Sequence, residues 1–309
     1  MRHTLVGCTG FVGGNLAASH TFDGQYHSRN IAESYGQDNG LVVYSGMPSE
    51  KFLANADPEA DLAQARQALD NMRKMRPQRL VLISTVDVYP SPQSVCETDV
   101  PTAENAPAYG KNRLALEGWV REEWPDALIL RLPALYGKGL KKNFLYDMLT
   151  ITPGMLTEDK YLELSKRERL VAEGYKPGKA GFYRLWPRDE HDSRELRSFF
   201  AGNDFNALSF TDSRAAFQFY GLSRLWGDIE RCLEAGLTLV NLAVEPVLAS
   251  ELHWKIMERP FANHKPGDPP QYDMRTCHAD VLGGSGGYLQ SREQVMEGIR
   301  GFVQEWESR

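Results

Sequence analysis

Gly7, Gly10 and Gly13 stand in the run Gly7-Cys8-Thr9-Gly10-Phe11-Val12-Gly13, directly after the apolar strand candidate Thr4–Gly7 and before a helical pattern near Val12–Ser19. A strand that turns into a helix through spaced glycines is a narrow structural solution. Glycine permits the tight turn and the close approach of backbone to a ligand, and the helix N-terminus presents unpaired N–H groups and a positive dipole end to an anion. The loop does not end in Gly-Lys-Ser/Thr, so it is not a mononucleotide P-loop.

The residues after the loop agree with that start. Gln25–Ser28 is a weak second strand, and Leu41–Ser45, Arg79–Ser84, Ala127–Leu132 and later Leu237–Val244 are near-continuous apolar runs. Apolar strands separated by helices predict a parallel sheet covered on both faces. The helix before the Arg79 strand carries Leu62, Ala65, Leu69, Met72 and Met75 at three- and four-residue steps, opened by Asp57-Pro58. A second helix is expected from about Pro107 to Trp124, stopping before Pro125. Within the first helix, Asn71 reads as a surface residue.

After Gly137 the chain becomes charged and poor in strand signals, and Leu156–Gly174 reads as an exposed helix. The expected organisation is a sheet domain over 1–140, completed by 216–250. Residues 141–215 and 251–309 then form a smaller substrate lobe and a last helix. That helix is capped by Ser291 and Gln294 and buries Val295, Ile299, Phe302 and Trp306.

Composition removes several classes. The 309 residues have a net charge of −6 and no basic run, which argues against nucleic-acid partners. No stretch reaches the ~18 apolar residues of a membrane span. The N-terminus runs straight into the glycine loop, so no signal peptide and a cytoplasmic location are expected. Cys8, Cys96, Cys232 and Cys277 are scattered and read as free thiols. The His residues form no metal-binding cluster, so no metal is expected.

Five segments together resemble the extended short-chain dehydrogenase/reductase family. They are the GxxGxxG loop, Ser84–Tyr89 (with Pro90 where the family has glycine), Tyr109–Glu117, Arg131–Gly137 and, more loosely, Val240–Leu252. The coverage is good over about 1–145 and loose over 216–252. The resemblance implies a Rossmann-type doubly wound parallel α/β sheet with a smaller substrate-binding lobe. It also implies hydride transfer between a nicotinamide and a carbinol or carbonyl carbon, and pairing of two copies through the Tyr109 helix and the one before it.

By the same resemblance Tyr109 is the acid/base and Thr85 the hydroxyl that bonds the substrate oxygen. Cofactor contacts fall on Gly7, Thr9, Gly10, Phe11, Val12, Gly13, Tyr109, Arg113 and Leu132. A tyrosine with an ordinary pKa of about 10 needs a shift of roughly three units, about 4 kcal/mol, to work near neutrality. The family supplies a lysine one helical turn on. Here position 113 is arginine, which can favour a phenolate by charge but has a different reach. Lys111 lies on another face of the helix. An active variant, a slowed enzyme and a protein that binds cofactor without catalysis all remain open.

The second strand ends in His27-Ser28-Arg29-Asn30 with no acid to hold a ribose, which favours NADP(H) over NAD(H), with Ser28 and Arg29 at the 2′-phosphate. Ser45 and Gly46 would lie on the adenosine or pyrophosphate side. The resemblance implies a nucleotide sugar as the small-molecule substrate, with Asp87, Asn143 and Arg275 as contacts. Lys141, Lys142, Arg214 and Arg224 are further cations for a diphosphate. Two other readings stand: a non-catalytic NADP(H) sensor or scaffold, and a reductase of small carbonyls. Gly283–Gly287 matches GxSxG, but no His follows His278, which removes a serine hydrolase.

Overall fold

The structure is a computed structural model and describes residues 1–104, 106–178 and 181–308. Lys179 and Ala180, in the charged stretch, lie outside the described residues. The chain divides into two units, one of residues 1–139, 216–247 and 270–309 and one of residues 140–215 and 248–269.

The first unit holds a six-stranded sheet. Its strands are β1 (His3–Val6), β2 (Gly24–Tyr26), β3 (Leu41–Tyr44), β4 (Arg79–Thr85), β6 (Leu128–Leu132) and the strand Leu239–Asn241. They lie in the order β2-β1-β3-β4-β6-(239–241), and every pair is parallel. The short strand β5 (Gln93–Val95) lies outside this sheet. The apolar runs explain the arrangement. Val42, Val43, Val81 and Leu128 to Leu130 are completely buried, as strands covered on both faces must be.

Helices α1 (Phe11–Ser19), α2 (Lys51–Ala56), α3 (Pro58–Met75) and α4 (Ala108–Glu123) belong to this unit. Asp57 caps α3 by accepting from the Ala60 N–H at 3.1 Å, with Pro58 in the first turn. The expected stripe then reaches the core, where Ala65, Ala68, Leu69, Met72 and Met75 pack with Val42, Leu80, Leu116 and Val120. Each fully buried large apolar side chain of this kind contributes roughly 1.5–3 kcal/mol. Asn71 is not on the surface. It is 8% exposed, its side chain bonding the Tyr35 and Tyr44 hydroxyls.

The last residues depart from the expectation. The expected span 251–309, lobe and last helix together, divides at 270: residues 248–269 fall in the second unit and 270–309, with the last helix, in the sheet unit. The cause is visible in the contacts of the C-terminal helix Arg292–Glu307. The Arg292 N–H bonds Glu245, and the Phe302 ring lies 5.7 Å from the Tyr136 ring. The Ser291–Gln294 capping box is formed. Gly283–Gly287 is a tight turn closed by the Ser285–Tyr288 bridge, without the strand and helix of a nucleophile elbow.

The second unit is not a single exposed helix with little else. Met155–Thr157, Phe182–Leu185 and Tyr175–Pro177 form an antiparallel sheet. Leu156–Gly174 breaks into a strand residue pair and the helices Glu158–Ser165 and Arg169–Gly174. Leu156, Leu164, Val171, Tyr175, Leu196 and Phe200 make its core. Its strands are two to four residues long and the helices Glu158–Ser165 and Arg169–Gly174 bury one and two residues, too few to establish a period. No described helix is long and apolar enough to cross a membrane.

Asp147, in the helix Phe144–Thr150, is pushed up to about 7 by burial. Its folded-state pKa lies above its unfolded value, so the folded chain holds the extra proton between about pH 4 and 7. Stability from this group is full below the unfolded pKa and is lost as pH rises through 7. An Asp147→Asn variant is expected to gain roughly 1–3 kcal/mol at pH 8 relative to its gain at pH 4, after discounting for partial exposure and the favourable helix dipole. Urea unfolding of both proteins at the two pH values measures this; a pH-independent difference would contradict it.

Candidate active site

The strand order reverses between β1 and β3, because β1 is followed by β2 on one side and β3 lies on the other. In open parallel sheets the crevice at the carboxyl ends of such neighbours is where ligands bind. The glycine loop fills the first half of it. A Cβ on Gly13 would sit 2.1 Å from the Gly7 carbonyl oxygen, so α1 approaches the loop as only glycine allows. Gly10 precedes α1 and no side chain caps that end, leaving the first N–H groups of Phe11, Val12 and Gly13 to an incoming anion. Thr9 is exposed beside them.

Two neighbouring turns border the loop. The Gly7 and Cys8 N–H groups donate to the Tyr26 carbonyl at 2.7 and 3.2 Å, so the end of β2 lies against the loop. His27 to Asn30 then close a turn through the Asn30 side chain and leave Ser28 and Arg29 exposed. The Arg29 guanidinium has no ion pair among the described residues. On the other side the Ser45 N–H and hydroxyl both donate to the Val6 carbonyl, at 3.0 and 2.7 Å, which brings Ser45 and Gly46 beside Gly7.

The second half of the site lies at the ends of β4 and α4. Thr85 is the last residue of β4, and its hydroxyl bonds Asp87 Oδ2 at 3.0 Å. Tyr109 begins α4, 7% exposed, with its N–H on Asn55 Oδ1. A Cβ on Gly110 would lie 2.0 Å from the Asp87 carbonyl oxygen, so position 110 sets how closely α4 approaches the Thr85–Asp87 turn. The Tyr109 phenol lies close enough to Thr85 for that hydroxyl to favour its phenolate.

Burial pushes the Tyr109 phenol above its ordinary value, and Asp87 adds to this; Arg113, Lys51 and Thr85 pull the other way without cancelling it. At neutral pH the group is therefore a proton donor.

Arg113 is 3% exposed and forms a two-pronged pair with Asp61, at 2.8 and 3.0 Å. Its other donor reaches the Pro48 carbonyl at 2.6 Å, and its guanidinium lies 4.5 Å over the Tyr109 ring. It touches the ring face while its charge is met by Asp61, and it ties α3, α4 and the segment after β3 together. A cation of the expected shape comes from elsewhere. Lys51, at the start of α2, places Nζ 2.6 Å from Asp87 Oδ1 and 5.8 Å over the Tyr272 ring. Burial works against that ammonium, but Asp87, Tyr272 and Tyr109 outweigh it and hold its pKa above the ordinary lysine value.

No protein-family model matches the chain, and no curated protein matches it in sequence. Solved structures do. A dTDP-4-dehydrorhamnose reductase from Yersinia enterocolitica superposes with a TM-score of 0.62 at 13% identity, over 98% of this chain and 99% of that one. RMD from Pseudomonas aeruginosa, solved with NADPH, gives 0.62 at 17% identity over the whole of both chains. This is the extended short-chain dehydrogenase/reductase fold. A UDP-N-acetylglucosamine 4-epimerase from Methanobrevibacter ruminantium shares the same extended reductase fold, with a TM-score of 0.61 at 10% identity over 100% and 99% of the two chains.

Within that reductase fold the expected residues separate into groups. Gly7 and Gly13 lie against Ser45, with Gly46 beside Gly7, and Thr85, Asp87, Tyr109 and Arg113 meet in one cluster. Leu132 ends β6 opposite Thr85, but it is 3% exposed and packs into the sheet. Arg275 is held by Asp273 at 3.2 Å and lies over the Tyr288 ring, and no contact joins it to the Thr85–Tyr109 cluster among the described residues. Asn143 lies in the second unit, where its side chain caps a helix by accepting from the Tyr146 N–H. Arg214 and Arg224 are paired with Asp212 and Asp228. Lys51 and Asp61 were missed by the sequence reading. They have no motif spacing to Tyr109, and only the folded sheet brings them to it.

Proposed function

We propose that the chain is an NADP(H)-dependent oxidoreductase that reduces a carbonyl carried on a nucleotide sugar. The observation that carries this is the buried Tyr109 phenol, held protonated beside Thr85 at the carboxyl end of the sheet. The glycine loop and the N-terminus of α1 would hold NADPH, which would supply a hydride to the carbonyl carbon. Tyr109 gives its proton to the carbonyl oxygen, and the Thr85 hydroxyl holds that oxygen as charge builds on it. The close Gly7–Gly13 contact, the uncapped N-terminus of α1 and the exposed Arg29 are the features that fit a dinucleotide with a 2′-phosphate. The nucleotide-sugar class rests on the names of the structural neighbours, several of which are dTDP-4-dehydrorhamnose reductases. An NAD-dependent dehydratase shares the fold, so the phosphate preference rests on Ser28 and Arg29 rather than on the neighbours.

Titration with NADPH and NADH, followed by nicotinamide fluorescence, tests the cofactor. NADPH is expected to bind more tightly, and Arg29→Ala to weaken NADPH about 10- to 100-fold, the loss of one charge-assisted hydrogen bond, while leaving NADH unchanged. Failure of the folded protein to bind either nucleotide would overturn the oxidoreductase reading. The pairing of Arg113 with Asp61 favours a second reading, a protein that binds NADP(H) without turnover. A panel of nucleotide-linked keto sugars, read by NADPH consumption, separates the two.

A further inference from the structure

Outside this site, Cys96 and Cys277 are 181 residues apart in sequence, yet their sulfurs lie 3.4 Å apart, with Cys277 donating to Cys96. Their backbones are held on both sides. β5 pairs in parallel with Asp273–Met274, and the Arg275 N–H bonds the Val95 carbonyl at 2.6 Å. The Cys96 N–H bonds Asp99 and its carbonyl accepts from the buried Tyr89 hydroxyl, while the Cys277 N–H bonds Glu97 at 2.8 Å. Cys277 is exposed and Cys96 half-buried. A cleft lined by Glu97, Thr98, Gly236 to Leu239 and His278 opens beside Cys277.

We propose that Cys96 and Cys277 form a reversible intramolecular disulfide, an oxidation site accessible to small thiol–disulfide reagents. Closing the bond needs the sulfurs to approach from 3.4 Å to about 2.05 Å, a small movement between two segments that the β5 pairing already holds together. The chemistry balances with a disulfide oxidant such as oxidised glutathione. The Cys96 thiolate attacks one glutathione sulfur and expels a glutathione thiolate. Cys277 then attacks the Cys96 sulfur of the mixed disulfide and expels the second. The two protons of the protein thiols pass to the two released thiolates, and two electrons pass from the protein to the oxidant. The same exchange runs with the two thiols in the opposite order, since Cys277 is exposed and Cys96 half-buried.

A metal ion is the competing use of the same sulfurs. Glu97 Oε1 accepts from the Asn241 N–H and the Thr276 hydroxyl, and Oε2 from the Cys277 N–H. With Glu97 the two sulfurs make three ligands among the described residues, one short of a closed structural zinc site. The bond would also matter to the rest of the unit. Tyr272, which lies against Lys51, sits five residues before Cys277, so oxidation staples that segment to the one following Asp87.

The test equilibrates the full chain with glutathione buffers of increasing oxidation, blocks free thiols with an alkylating agent and maps peptides by mass. Expected is a cross-link between the Cys96 and Cys277 peptides, a loss of two alkylatable thiols out of four and full reversal by dithiothreitol. Cys277→Ser should leave a stable glutathione adduct on Cys96 and no cross-link. Full alkylation of both thiols in excess oxidised glutathione would overturn the proposal. So would cross-links joining two chains, or zinc-dependent protection from alkylation without any disulfide.

Discussion

A Glu117→Ala variant is expected to lose roughly 3–5 kcal/mol of unfolding free energy, because it leaves a guanidinium buried without its counter-charge. Arg131 is 1% exposed at the centre of β6, and Glu117 on α4 is completely buried beneath it. Their contact is two-pronged, with Arg131 Nη2 and Nε 2.6 and 3.0 Å from the two carboxylate oxygens. The Ser84 hydroxyl donates to the same carboxylate at 2.5 Å, and Arg131 Nη1 donates to the Tyr89 hydroxyl at 2.6 Å. Tyr89 passes the network to the Cys96 carbonyl and accepts from Asn241. One ion pair therefore joins β4, α4, β6 and the strand Leu239–Asn241 under the helix that carries Tyr109. A domain with 5–15 kcal/mol of stability would retain little after that loss. Urea unfolding should show a lower midpoint with an unchanged slope. Replacing both partners by methionine should cost less than either alanine alone, since no charge is then stranded. A single-variant loss below 1 kcal/mol would mean that water reaches the pair.

The same buried charges mark where reading the sequence stops. The sheet was legible because strands covered on both faces must be apolar throughout, and the runs at Leu41, Arg79 and Leu128 have no other economical use. Helix α3 was legible because eighteen residues give its stripe time to repeat. The glycine loop was legible because Gly10 and Gly13 answer to the Gly7 carbonyl within the same seven residues. Lys51 was not, for its partner Asp87 is 36 residues away and reaches it only through the crossover from β3 to β4. Asp61 reads as an ordinary acid in the first turn of a helix, and its burial depends on Arg113 and Asn112, 52 and 51 residues on. The arginine at 113 was visible from the start, but its meaning was not, because the residue that decides it is Asp61. In the second unit each short strand and helix buries too little to declare a period, and the antiparallel sheet stayed hidden.

Tyr109→Phe is expected to lower kcat for carbonyl reduction by 10²–10⁴-fold while leaving NADPH affinity within a factor of two or three. The phenol is the proton donor of the proposed step and its loss removes general-acid catalysis, whereas its ring contact with Arg113 is kept. Because burial holds Tyr109 above the ordinary tyrosine value, wild-type activity should stay level through neutral pH and fall only as the phenol loses its proton above about 10. The neighbours set the direction in which that alkaline limb moves. Lys51 favours the phenolate, so Lys51→Met should shift the limb to higher pH; Asp87 opposes the phenolate, so Asp87→Asn should shift it lower. A structural role for either residue would change the level of activity but not carry the two limbs in opposite directions. pH–rate profiles of the three proteins under saturating NADPH make the comparison. If Tyr109→Phe keeps wild-type turnover, or if both neighbour variants move the limb the same way, Tyr109 is not the acid.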